Sequence, residues 1–128
     1  MVRNIVLAFI LVTSSMYLSG CFALLIGAAA GAGGVIWVKG KLQQDVNASL
    51  DKVYSATKTA LKKMELPLIV DRKDKMTAKI ESGYSDGKHV WIDLDHLSNS
   101  LTKISVRVGT LGDEARSRQI LEKIMQYL

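Results

Sequence analysis

The densest run of side chains able to do chemistry is His89-Val90-Trp91-Ile92-Asp93-Leu94-Asp95-His96, with two imidazoles and two carboxylates. Such groups suit a divalent cation or an acid–base pair. In a strand, alternate residues share a face, which gathers His89, Trp91, Asp93 and Asp95 on one side. The same geometry spreads them along it. His89 and Asp93 are four strand residues apart, about 13 Å, and Asp93 and Asp95 about 7 Å, both too wide to share one ion. The run therefore reads as a solvated sheet face, no metal is expected, and His96 is expected in the turn that follows. Trp91 stands apart. The hairpin register worked out below sets it opposite Glu81 and leaves Lys79, Lys103 and Arg107 on its face. A tryptophan among cations is a platform for an anionic head group or glycan, through stacking and charge-assisted hydrogen bonds. Covered by a helix or by Val38–Val46, the same residue would be ordinary core. Lys79, Trp91, Lys103 and Arg107 are thus the candidate ligand face.

Serines and threonines are plentiful, but no nucleophile elbow, P-loop or dinucleotide fingerprint occurs. Gly31-x-Gly33-Gly34 falls in an apolar stretch, the wrong context for phosphate binding. No cofactor is expected and no enzymatic activity, the enzymatic alternative being a hydrolase or transferase with a dispersed site.

The remaining reactive group is the single cysteine, Cys21. Alone, it excludes an intrachain disulfide framework and a multi-cysteine zinc site. Its context is informative. Arg3 and the α-amino group precede a 13-residue apolar run, Ile5 to Tyr17, which has the length of a signal-peptide h-region and is too short to span a bilayer. The run ends in Leu18-Ser19-Gly20-Cys21, which resembles the lipobox of bacterial lipoproteins. That resemblance implies diacylglyceryl transfer to the Cys21 thiol, cleavage by signal peptidase II between Gly20 and Cys21, and acylation of the new amino terminus. Leu18, Ser19 and Gly20 would be the recognition residues. Two or three acyl chains hold a protein firmly at a membrane, where one is marginal. Phe22 takes the place where enteric-type sorting uses aspartate for inner-membrane retention, which favours the outer membrane.

Phe22 to Val38 is a second uncharged run, of 17 residues. Its Gly27-x-x-x-Gly31 puts two glycines on one helix face, a spacing that lets another helix approach. The run reads either as a flexible Gly/Ala connector lying against the bilayer or as a shallow inserted segment that self-associates. A membrane hairpin over residues 5–38 would need an uncleaved signal, against which the lipobox argues.

At 128 residues the chain has room for one small domain. The charge is divided: residues 1–38 hold only Arg3, while 39–128 hold the other 16 Lys/Arg and all 12 Asp/Glu. A basic balance invites a nucleic-acid reading, which an envelope location opposes. The polyanions there are lipid head groups and cell-wall polymers. The expected organisation is a signal peptide at 1–20, a lipidated cysteine with a Gly/Ala-rich segment at 21–38, and a periplasmic domain at 39–128.

Within that domain, Val38 to Val46 reads as an edge strand or linker. Ser49 caps a helix of about residues 50–64, with apolar groups at helical spacing and Pro67 beyond its end. Leu66–Val70 reads as a short strand and Asp71–Lys75 as a charged turn. Met76–Tyr84 and His89–Asp95 alternate with period two. A two-residue Asp86-Gly87 turn would set Ile80 opposite Asp93, whereas a three-residue Ser85-Asp86-Gly87 loop sets it opposite Ile92, so the longer loop is expected, with Gly87 left-handed. Leu97–Ser100 turns the chain, Lys103–Val108 is a further strand, and Thr110-Leu111-Gly112-Asp113 opens a last helix in capping-box form. This order predicts an α+β two-layer sandwich, an antiparallel sheet of about four strands with two helices on one face.

The segment from Ile104 through Gly109-Thr110-Leu111-Gly112-Asp113 to Leu121 is similar to the C-terminal signature of a bacterial lipoprotein family known as domain of unknown function 3568. The resemblance extends to Val38-Lys39-Gly40 and to the Asp51–Leu61 helix. It implies that lipobox and compact domain belong together, and it implies no activity. The function expected is a membrane-anchored envelope lipoprotein, a non-enzymatic binding or assembly module with anionic lipid, cell-wall polymer or envelope proteins as partners. The structural alternative is self-association through Gly27 and Gly31. Nucleic acid is not an expected partner.

Overall fold

A computed structural model describes residues 1–6 and 34–128. Leu18, Ser19, Gly20, Cys21, Gly27 and Gly31 lie outside the described residues. The chain divides into two units, Met1–Gly34, of which residues 2–6 are helical, and Val35–Leu128. No helix among the described residues is long and apolar enough to cross a membrane.

The second unit is α+β. Its strands are β1 (Val35–Val38), β2 (Lys41–Val46), β3 (Val70–Lys73), β4 (Thr77–Gly83), β5 (His89–Ser98) and β6 (Leu101–Val108), with helices α1 (Leu50–Lys63) and α2 (Glu114–Gln126). They form one antiparallel sheet in the order β1-β2-β6-β5-β4-β3. The sheet has six strands where about four were expected. Leu42, Ile80, Val90, Ile92, Leu94, Ile104, Val106 and Val108 point to one face and are fully buried against Val53, Ala60 and Leu61 of α1 and Ile120 and Ile124 of α2. Both helices cover that face.

The β4–β5 hairpin follows the three-residue register. Ile80 pairs with Ile92, Glu81 with Trp91 and Gly83 with His89. Tyr84 and Lys88 close the loop, the Gly87 N–H donates to the Tyr84 carbonyl, and Gly87 sits at φ 90°. α1 begins at Ser49, whose hydroxyl accepts from the Lys52 N–H, and its last turn carries Lys62 and Lys63 at the negative end of the helix dipole.

Five local expectations change. Val38–Val46 is two paired strands, turned by Lys39 and Gly40, both at positive φ, so β2 is interior and β1 is the edge. This is the geometry of the two-residue hairpin turn that matches strand twist. Leu66–Ile69 is an approach to the sheet held by the Ile69 N–H on the Glu81 carbonyl, and the ladder starts only at Val70, because Pro67 has no N–H to give. Asp71, Arg72 and Lys73 are strand residues, since an edge strand accepts exposed charges, and Asp74 makes the turn by accepting from the Met76 and Thr77 N–H groups. His96 lies within β5 opposite Thr102, not in the turn. Finally, α2 is capped by Asp113, whose carboxylate accepts from the Arg116 N–H at 3.0 Å, so the cap lies three residues beyond Thr110 and the helix starts at Glu114. Gly109 and Gly112, at φ 73° and 83°, turn the intervening loop.

Candidate functional site

The face of the sheet away from the helices is built by the residues alternating with the core. Cross-strand pairing orders it in rows: Glu81, Trp91 and Arg107; then Lys79, Asp93, Ser105 and Gln43; then Thr77, Asp95, Lys103 and Asp45. Lys79, Trp91, Lys103 and Arg107 do share this face. Only Arg107 neighbours Trp91, with its guanidinium 5.7 Å from the ring centroid. Lys103 is four strand residues from Arg107, roughly 13 Å, between Asp95 and Asp45. Lys79 stands opposite Asp93 and 3.9 Å from Glu81. The face alternates in sign, so the expected ring of cations around one aromatic is not assembled. A polar groove of about 470 Å³ runs over its middle between Lys41, Lys79, Asp93, Asp95 and Lys103.

Around Trp91 a different cluster forms. The His89 ring lies 4.5 Å from the Trp91 ring, tilted by 45°, and its Nε2 is 3.0 Å from Glu81 Oε2. Arg107 donates from Nε to the Gly109 carbonyl at 3.3 Å and from its terminal nitrogen to the Thr110 carbonyl, tying the loop before α2 to the Trp91 face. Trp91 is half-buried, on the face away from both helices and separated from β1 and β2 by β6. A cavity of about 320 Å³ opens beside it, walled by His89, Trp91, Val108, Leu111 and Asp113. The His89–Glu81 contact went unforeseen, although the three-residue loop implies it: Glu81 opposite Trp91 puts it diagonal to His89, within reach of long side chains. Among the described residues no group of three His, Cys, Asp or Glu could hold a metal. What the cluster can do is stack on a ring and hydrogen-bond an anion.

Charged contacts fasten the cavity's rim. Arg116 bonds Asp86 at 2.8 Å and lies over the Tyr84 ring, while Lys88 bonds Asp113 at 3.2 Å. The Arg116 backbone N–H, then Lys88, holds the Asp113 carboxyl below the usual carboxylate range, and the Lys88 backbone N–H, then Arg116, does so for Asp86. Tyr54 and Lys58 similarly depress Asp71. A carboxyl with a lowered folded-state pKa stabilises the fold above its unfolded value near 3.9, and that contribution disappears as pH falls through the folded value. The melting temperature is therefore expected to hold from neutrality to about pH 5 and to fall below about pH 4. Asp113→Asn, which keeps the helix cap, should flatten the acid limb. An unchanged limb in that variant together with Asp86→Asn would remove these carboxylates from the account.

The chain matches, over residues 4–127, the family described as a protein of unknown function, DUF3568. No curated protein matches it. Two of the three stretches that carry the resemblance, Val38-Lys39-Gly40 and Ile104–Leu121, meet in space: a side chain at Gly40 would begin 3.2 Å from the Leu111 carbonyl.

Proposed function

We propose that this chain, which belongs to the DUF3568 family, is a membrane-anchored envelope lipoprotein whose α+β domain is a non-enzymatic binding module on the periplasmic side, with the outer membrane favoured. The observation that carries the anchor is Leu18-Ser19-Gly20-Cys21 directly after a 13-residue apolar run that follows Arg3. On this reading residues 1–20 are removed and acyl chains on Cys21 hold the domain at the bilayer. Cys21→Ser is expected to abolish palmitate incorporation and to leave an uncleaved precursor. Unchanged size and unchanged label in that variant would falsify the anchor.

The binding surface is the shelf formed by His89, Trp91 and Arg107 above its cavity. A partly exposed indole with one guanidinium at its rim suits a sugar ring or head group bearing negative charge, stacked on the indole and hydrogen-bonded by Arg107. Trp91→Ala should weaken binding of the detergent-solubilised protein to phosphatidylglycerol in mixed micelles, or to a soluble anionic polysaccharide, by about tenfold or more, the two arms separating lipid from glycan. The wild-type binding should weaken with salt. Stability should fall by only about 1–2 kcal/mol, because Trp91 is partly exposed and lies outside the hydrophobic core. A loss of about 3–5 kcal/mol, the cost of truncating a core aromatic, would make Trp91 structural instead.

A further inference from the structure

Resting on the lipid-anchor reading, we infer that the β1–β2 hairpin and the Leu111 loop form a membrane-interface contact that seats the domain on the head groups of its own bilayer. β1 is Val35-Ile36-Trp37-Val38, and all four side chains are exposed, Ile36 by 52% and Trp37 by 38%. Val35 and Trp37 lie on the helix side, opposite Gln44 and Leu42, and Ile36 and Val38 on the other. Both faces of this edge strand are therefore apolar and in the open. Edge strands are normally blunted with charge or proline. The sheet's other edge obeys, since β3 is Val70-Asp71-Arg72-Lys73, and β1 has no such group. Leu111 is 95% exposed, and its carbonyl lies against the Gly40 turn, so a residue far away in sequence extends the same apolar rim. Lys39 and Lys41 stand at the turn.

Three features choose a lipid surface as the occupant. β1 is the last part of the uncharged run from Phe22, and thirteen residues separate Cys21 from Val35, a tether of about 50 Å at most. An acylated Cys21 keeps β1 within that reach of the bilayer. Tryptophan and lysine flanking aliphatic groups is the composition that settles at head-group level, the lysines meeting anionic lipid. A second copy adding its own β1 would satisfy the backbone edge, yet would leave Ile36 and Val38 on one face, Val35 and Trp37 on the other, and Leu111 outside the ladder. The interface covers side chains on both faces, and hydrated head groups satisfy the unpaired backbone that hydrocarbon would not tolerate.

Trp37 and Trp91 are the two tryptophans, so Trp91→Phe and Trp37→Phe each leave one reporter. The lipidated full chain, reconstituted in phosphatidylethanolamine vesicles containing a quarter phosphatidylglycerol, is measured with and without brominated acyl chains. Trp37 is expected to lose more than half its emission and Trp91 much less. In parallel, Leu111→Cys is labelled with a water-soluble maleimide beside Asn99→Cys, at the opposite end of β6. Labelling at position 111 should be several-fold slower on vesicles, with position 99 unchanged. Trp37 unquenched and accessible to aqueous iodide overturns the contact, as does blue-shifted but unquenched Trp37 emission that depends on protein density, which marks a second copy. The anchor is read separately, by the mass of the Cys21 peptide. A lipidated Cys21 with unquenched Trp37 sinks the contact and leaves the anchor, whereas quenching without lipidation does the reverse.

Discussion

Ile92→Asp is expected to leave the domain unfolded, while Asp93→Ile leaves it folded and cooperative. Ile92 is fully buried between Ile80 on β4 and Val106 on β6, beneath the helices. An aspartate there either keeps its charge without a partner or takes up a proton, and both forms forfeit the packing of a large aliphatic group. The loss should reach at least about 5 kcal/mol, against a total stability of about 5–15 kcal/mol for a small domain. Asp93 faces out, half-buried opposite Lys79 and Ser105, and removing a charge on the solvent face costs about 1 kcal/mol or less. Far-ultraviolet circular dichroism and thermal melts of the two purified variants check the pair. The reverse outcome would move the β4–β5 register by one residue and turn every side chain of β5 to the other face.

That register was legible because it is set locally. Two runs alternate cleanly, and one loop length alone brings their apolar sets together. Of the two added strands, β2 falls inside the segment read as an edge strand or linker, and each was obscured for a different reason. β1 is uncharged on both faces and continues a greasy run, so nothing separates it from the segment before it. β2 places Gln44, only 9% exposed, where alternation calls for an apolar residue, which blurs its period. β3 is charged at consecutive positions because it is an edge, and a charged run reads as a turn. The start of α2 was displaced because Thr110 and Asp113 both fit a cap, and only the sharp turn at Gly112 chooses between them. At the candidate site, parity put Lys79, Trp91, Lys103 and Arg107 on one face, but which of them touch depends on how β6 pairs with β5 and on Asp45 arriving from β2. Those pairings are long-range, and no single run of sequence contains them.

Gly112→Ala is expected to be the most damaging glycine-to-alanine change among the described residues, and its cost should exceed what backbone conformation alone explains. Gly112 lies at φ 83°, where an alanine is strained by about 1 kcal/mol. A side chain there would also begin 2.6 Å from the Gly40 carbonyl oxygen and 2.7 Å from the Gly40 Cα. Both are backbone atoms of a tight turn, so no rotamer change relieves the overlap, and the hairpin and the loop must separate. Overpacking of this kind adds about 1–3 kcal/mol, for a total of about 2–4 kcal/mol. Two other glycines serve as internal controls. Gly87, at φ 90°, has nothing within 4 Å of the added atom, so Gly87→Ala should show the conformational cost alone. Gly40, at φ 78°, would meet the Leu111 carbonyl at 3.2 Å and should fall between them. Thermal melts of the three variants should therefore rank Gly112 worst, then Gly40, then Gly87. Equal losses would mean that the hairpin and the loop are not in contact and that φ alone matters. The contact also supports the membrane-facing edge: β1 pairs with β2 and no other strand, and the turn joining them is braced by Leu111-Gly112. Gly112→Ala should accordingly red-shift Trp37 emission at temperatures where the core is still folded, the signature of a hairpin released before the sheet behind it.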